Sequence, residues 1–132
     1  MQIHECVSFL VVENNKVLLE KRSILKVCEP GIINIPGGHV EAGESQIETL
    51  FRELNEELNI KPKSYIFLCS LYHPTSELQL IHYYVISAWS GEVQSLEADE
   101  VCWYDIDQAP LAIRADRVAL SEYKRLSSWL LT

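Results

Sequence analysis

The sequence predicts an α/β sandwich, short strands forming a sheet that two amphipathic helices cover. Two observations carry that prediction: short apolar segments alternate with turn signals along most of the chain, and two stretches repeat their apolar residues at three- and four-residue intervals. A third bounds it. In 132 residues, 48% hydrophobic and 23% charged with only five Gly and five Pro, the composition is that of one folded domain over residues 1–132, not of a disordered or fibrous chain. About two-thirds of the unfolded surface can be buried at this length.

Residues 5–13 read as a strand rich in Val and Phe, and Asn14-Asn15 supplies the turn conformations of a hairpin before Val17, Leu18 and Leu19 resume an extended path. A loop holding Pro30 and Gly31 leads to a short apolar run at 32–35. That run stops at Pro36-Gly37-Gly38, where a sharp turn is expected because proline ends strand pairing and two glycines allow unusual backbone angles. Ser45-Gln46-Ile47-Glu48 has the spacing of a capping box, so a helix starts at Ser45. Ile47, Leu50, Phe51, Leu54 and Leu58 form its apolar stripe, and Asn59 closes it near Leu58, with Pro62 just beyond. Residues 65–72 and 78–89 are rich in β-branched and aromatic residues and read as strands, the second broken by Gly91; 101–104 is a last short strand. Ala119, Tyr123, Leu126 and Leu130 make the C-terminus a second amphipathic helix.

Several function classes drop out. No apolar run approaches the roughly 20 residues of a membrane span, and the first residues lack the pattern of a secretory signal, so a soluble cytoplasmic protein without a membrane partner is expected. Cys6, Cys28, Cys69 and Cys102 form no CxxC pair or Cys/His cluster, so buried reduced thiols are expected rather than a zinc or redox motif. Eleven basic against nineteen acidic residues, a net charge of −8, argue against polymeric nucleic acid as a partner. The same charge would repel a free polyphosphate unless the acids hold divalent cations that the phosphates share. The sequence leaves the oligomeric state open.

At 100° per residue Glu53, Glu56 and Glu57 fall within about 100° of one another, opposite the stripe centred on Leu54 and Leu58. Like charges one turn apart repel by a few tenths of a kcal/mol per pair. A solvated acidic face accounts for such a cluster as well as a hard cation does. Mg²⁺ takes oxygen ligands, one or two carboxylates together with waters and substrate phosphates.

From Gly38 the chain reads Gly, five residues, Glu44, seven residues, Arg52-Glu53-Leu54, one residue, Glu56-Glu57, one residue, Asn59-Ile60. Over these 23 residues it resembles the Nudix box, with every charged position in register. It departs only at Asn59, where the family has glycine, and asparagine tolerates the same left-handed backbone. The resemblance implies the Nudix-type α/β/α sandwich with a mixed central sheet. It implies that Glu53, Glu56 and Glu57 bind Mg²⁺, or Mn²⁺ in its place, with Arg52 orienting the carboxylates, although a surface ion pair also accounts for Arg52. Glu44 would contribute a structural or water-mediated contact near the metal. Gly37 and Gly38 would bring backbone groups close to metal and phosphate, Gly38 as a metal ligand, and His39 would lie near the phosphates.

Beyond the box, Lys21-Arg22 resembles the end of the family's second strand, which implies a phosphate contact for Arg22; a solvated pair is the alternative. Glu97, six residues before Trp103, lies where MutT-like members carry a further metal-binding or catalytic glutamate, with Glu100 its local competitor. Ala115-Asp116 resembles the position at which triphosphate hydrolases of this kind read the base, and a plain N-cap is the alternative for Asp116. His4, His73 and His82 show no spacing that suggests a metal or a triad. The resemblance thus implies hydrolysis of a pyrophosphate bond in a small nucleotide, a nucleoside triphosphate giving monophosphate and pyrophosphate. The rivals are a diphosphate-linked substrate such as ADP-ribose, toward which the spacing of Pro74 from Asn59 points, and a silent nucleotide-binding module.

Overall fold

The computed structural model describes residues 1–22, 31–98 and 100–130, so Cys28 and Pro30 lie outside the described residues. Strand β1 (Ile3–Glu13) is the centre of the sheet. Its alternation sends Cys6, Leu10 and Val12 to one face and Val7, Phe9 and Val11 to the other, and both sets are buried. Asn14 and Asn15, both at positive φ (51° and 61°), turn the chain tightly into β2 (Lys16–Lys21) as the hairpin requires. The short β3 (Ile33–Asn34) pairs with the end of β2.

The next strand departs from expectation. Gly37 and Gly38 do not make a turn: with His39 they form β4 (Gly37–His39), antiparallel to Cys6, Val7 and Ser8 of β1, and neither has a positive φ. Their lack of a side chain serves close approach instead. A Cβ on Gly37 would collide with the Val7 carbonyl and the Ser8 backbone, and one on Gly38 with the carboxylate of Glu53.

Helix α1 (Gln46–Leu58) begins at the Ser45 capping box, with both reciprocal bonds formed, 2.9 Å and 3.1 Å. It ends at Asn59 in the left-handed region, φ 61° and ψ 34°. Leu50, Leu54 and Leu58 are fully buried against Val7, Phe9 and Val11, each contributing about 2 kcal/mol of hydrophobic stabilisation. Two long strands follow, β5 (Lys61–Pro74) and β6 (Leu78–Ser90), antiparallel to each other. Strand β6 runs parallel to β1 from Ile3↔Leu78 to Val11↔Ile86, which makes the sheet mixed. Strand β7 (Glu100–Asp105) pairs with β2 at an edge and leads through a single 3₁₀ turn to α2 (Arg114–Leu130).

Helix α2 packs Ala115, Ala119, Leu120 and Tyr123 onto the face that carries Cys6, Leu10 and Tyr83, opposite α1. The result is the expected α/β/α sandwich. No described helix is long and apolar enough to cross a membrane. Cys6, Cys69 and Cys102 are free thiols, but only Cys6 is buried; Cys69 is half-buried, and Cys102, on the edge strand β7, is exposed.

Candidate active site

The functional geometry begins with Arg52. Its Nε and Nη2 donate to the two oxygens of Glu44 at 2.6 Å and 2.9 Å, a bidentate pair. Its Nη1 donates to Glu53 Oε1 at 2.7 Å and Glu56 Oε2 at 3.1 Å, and Nη2 also to the His39 carbonyl at 3.0 Å. One guanidinium thus ties the loop before α1, the helix itself and β4 into one unit, which is more than a surface ion pair. Glu44 also accepts from the Thr49 hydroxyl (2.8 Å) and the Glu41 N–H (3.0 Å). These donors, the Arg52 guanidinium foremost, hold its carboxyl down to about 2.

Glu53 and Glu57 sit on the same helix but are buried, 8% and 9% exposed. They line a cleft of about 490 Å³ together with Gly37, Gly38, His39 and Glu97. Burial raises the Glu53 carboxyl above its ordinary range, the charges of Glu56 and Glu97 add to the rise, and Arg52 opposes it. Glu56 does not line the cleft; it is half-exposed and held by Arg52.

Glu97 reaches this place because of how α1 ends. The helix leaves carbonyls without intrahelical partners, and the chain after β6 supplies two of them: Gln94 N–H donates to Leu58 O (2.9 Å) and Leu96 N–H to Glu57 O (3.0 Å). Gly91, at φ 96°, permits that path; a Cβ there would stand 2.8 Å from the Asn59 carbonyl. The neighbouring Glu100 is instead on β7, opposite Lys21, outside the cleft lining.

The remainder of the cleft is built from the α2 face of the sheet. Arg22 lines it, and the Nε of its guanidinium is buried with no hydrogen-bond partner among the described residues. Asp116 lines it too, 2% exposed, accepting from the Ile35 N–H at 3.0 Å and the Tyr83 hydroxyl at 2.7 Å. Helix α2 begins at Arg114, so Asp116 lies inside its first turn and is not an N-cap. His39 Nε2 bonds Glu77 Oε1 at 2.9 Å on the rim, and His4 Nδ1 approaches Glu77 Oε2 at 3.4 Å.

The residues singled out from the sequence therefore meet in one cleft, apart from Glu44, Arg52 and Glu56, which brace it from beside. Sequence reasoning missed Glu77 and Asn34, which also line it, and Tyr83 behind it; His73, to which it gave no role, lines the cleft as well. None sits in a recognisable spacing.

Among the described residues no three His, Cys, Asp or Glu side chains already converge as a ligand set. The carboxylates nonetheless suit a hard cation. All donors are oxygen, Glu53 and Glu57 are buried at one wall, and the missing Cβ of Gly38 leaves room for the Glu53 carboxylate.

The chain is similar to known proteins in sequence and in fold. The model of the NUDIX domain matches residues 3–126. A CTP pyrophosphohydrolase of Escherichia coli K12 is 29% identical over 116 residues, covering 85% of each chain. An 8-oxo-dGTP diphosphatase of the same organism is 24% identical over 95 residues, 71% of this chain and 73% of that protein. The crystal structure of a MutT NUDIX hydrolase from Burkholderia pseudomallei superposes with a TM-score of 0.85 at 28% identity, covering 92% of this chain and 98% of the other.

Proposed function

Because the chain belongs to the Nudix hydrolase family, we propose that this pyrophosphohydrolase converts a nucleoside triphosphate to the monophosphate and pyrophosphate, with Mg²⁺ as its cofactor. The observation that carries the reading is the polarity of the cleft: the carboxylates of Glu53, Glu57 and Glu97 line the same cavity as Arg22 and Asp116. That pairing suits a substrate with a polyanionic tail and a polar head group.

In this reading Glu53, Glu57 and Glu97 hold the cation, and Arg52 keeps Glu53 in place through Nη1. A bound divalent cation supplies charge neutralisation on the phosphates and makes water a better nucleophile at neutral pH. Water adds to one phosphorus of the pyrophosphate bridge and loses a proton to solvent, while the bridging P–O bond breaks and its electron pair leaves on the bridging oxygen. Burial raises the Glu53 carboxyl, so a cation beside its charged form offsets that cost. Arg22 meets phosphate oxygens through a buried Nε that has no hydrogen-bond partner among the described residues. Asp116, almost wholly desolvated, hydrogen-bonds the base, where loss of a partner costs most.

The deciding experiment is a panel of nucleoside triphosphates and nucleoside diphosphate sugars, assayed for phosphate, pyrophosphate and monophosphate with Mg²⁺ and with chelator. Pyrophosphate release from a triphosphate, abolished by chelator, is expected. Faster cleavage of a nucleoside diphosphate sugar such as ADP-ribose, or turnover in chelator, would overturn the reading.

A further inference from the structure

Tyr83 lies at the middle of β6, opposite Ser8, and is entirely buried. A phenol in such a place needs a partner for its hydroxyl, and this one finds Asp116 Oδ1 at 2.7 Å. The other oxygen of Asp116 accepts from the Ile35 main chain at 3.0 Å. One carboxylate is thus gripped by two donors, the Tyr83 hydroxyl on β6 and the Ile35 main chain just after β3, 33 and 81 positions away in sequence. We propose that Tyr83 is a positioning residue which, acting through Asp116, makes the cleft select a nucleobase that presents an exocyclic amino group. The inference rests on the base-reading role of Asp116 given above.

The two bonds fix the plane of the carboxylate, since neither oxygen can turn away without leaving a buried donor unpaired. They also fix its character. Burial, and then the charge of Asp116, push the Tyr83 hydroxyl far above its ordinary range, so it stays protonated and donates at any working pH. Each oxygen of Asp116 already accepts one hydrogen bond, so as a carboxylate it offers a ligand acceptors only. A base edge carrying N–H₂ complements it, and one carrying a carbonyl sets oxygen against oxygen. Cytosine and uracil differ in this respect at one ring position, amino against carbonyl, which makes CTP and UTP a matched pair of probes. Because Asp116 is only 2% exposed, the mismatch is not relieved by water.

The test is kcat/KM for CTP and UTP with Mg²⁺ in the wild type, Tyr83→Phe, Asp116→Ala and the double variant, each with a thermal melt. Phenylalanine keeps the ring and its packing. Wild type is expected to prefer CTP. Tyr83→Phe is expected to reduce the CTP/UTP ratio about 10-fold, chiefly through KM for CTP, and to change the ratio no further in the Asp116→Ala background. A wild-type preference for UTP, or an equal fall for both nucleotides in Tyr83→Phe, overturns the proposal. If Asp116→Ala collapses the ratio and Tyr83→Phe does not, the Tyr83 role alone is wrong. If neither changes it, the base-reading role of Asp116 falls as well.

Discussion

At residue scale, two adjacent glycines are required for different reasons. The Cβ of an alanine at Gly37 would strike main-chain atoms of β1, which cannot move without breaking the β1–β4 pairing. At Gly38 it would strike the end of the Glu53 side chain, which can swing, though only by leaving Arg52 Nη1. Gly37→Ala is therefore expected to lower the melting temperature substantially, by several degrees for each kcal/mol lost. Gly38→Ala should melt within a few degrees of wild type while losing most of its metal-dependent turnover. Melting curves and steady-state rates at graded Mg²⁺ check both; a Gly38→Ala enzyme of normal Mg²⁺ dependence would show that the Glu53 position is irrelevant to catalysis.

At element scale, α1 and its two ends behave as one unit. Asn59 closes it at φ 61°, a conformation glycine adopts freely and a β-branched residue resists. Asn59→Gly should be near neutral, and Asn59→Val should cost about 1–2 kcal/mol of stability by chemical denaturation. It should also reduce turnover, because the chain leaving β6 crosses Asn59 on the way to Glu97. At the other end Glu44 has a folded-state value of about 2, depressed from 4.5. Its contribution is present above pH 4.5 and lost as pH falls toward 2. Glu44→Gln should accordingly flatten the acid limb of a stability-versus-pH curve across that window. Glu53 has the opposite sign: its raised carboxyl favours the fold when protonated, and that favour is lost as pH rises through its folded value.

At the scale of the whole molecule, buried like charges and metal affinity oppose each other. Glu53 and Glu57 are buried beside Glu97 in a chain of net charge −8, and a cation that binds only the folded state stabilises it by about 2.7 kcal/mol at 100 times its Kd. Mg²⁺ should raise the melting temperature by several degrees and chelator should reverse the rise. Glu57→Gln relieves repulsion, so its metal-free melt should equal or exceed that of wild type. Its Mg²⁺-induced shift should shrink and its turnover fall at least about 100-fold. An unchanged Mg²⁺ shift in Glu57→Gln would remove Glu57 from the ligand set.

Local pattern determined much of this. The hairpin at Asn14-Asn15, the capping box at Ser45, the close at Asn59 and the shared face of Glu53 and Glu57 are set by contacts within about four residues, so they are legible in the chain itself. The register of charges from Gly38 to Ile60 pointed to the family for the same reason. What the tertiary structure decided depends on distant segments meeting. Gly37 and Gly38 were expected to turn, yet they form a strand, because β1 offers its edge to them and leaves no room for a side chain. Glu97 rather than Glu100 enters the cleft because the last carbonyls of α1 capture the chain one and three residues ahead of it. Tyr83, Ile35 and Asp116 converge although up to 81 positions separate them. No local spacing encodes such a meeting; sheet order and the packing of α2 against it create it.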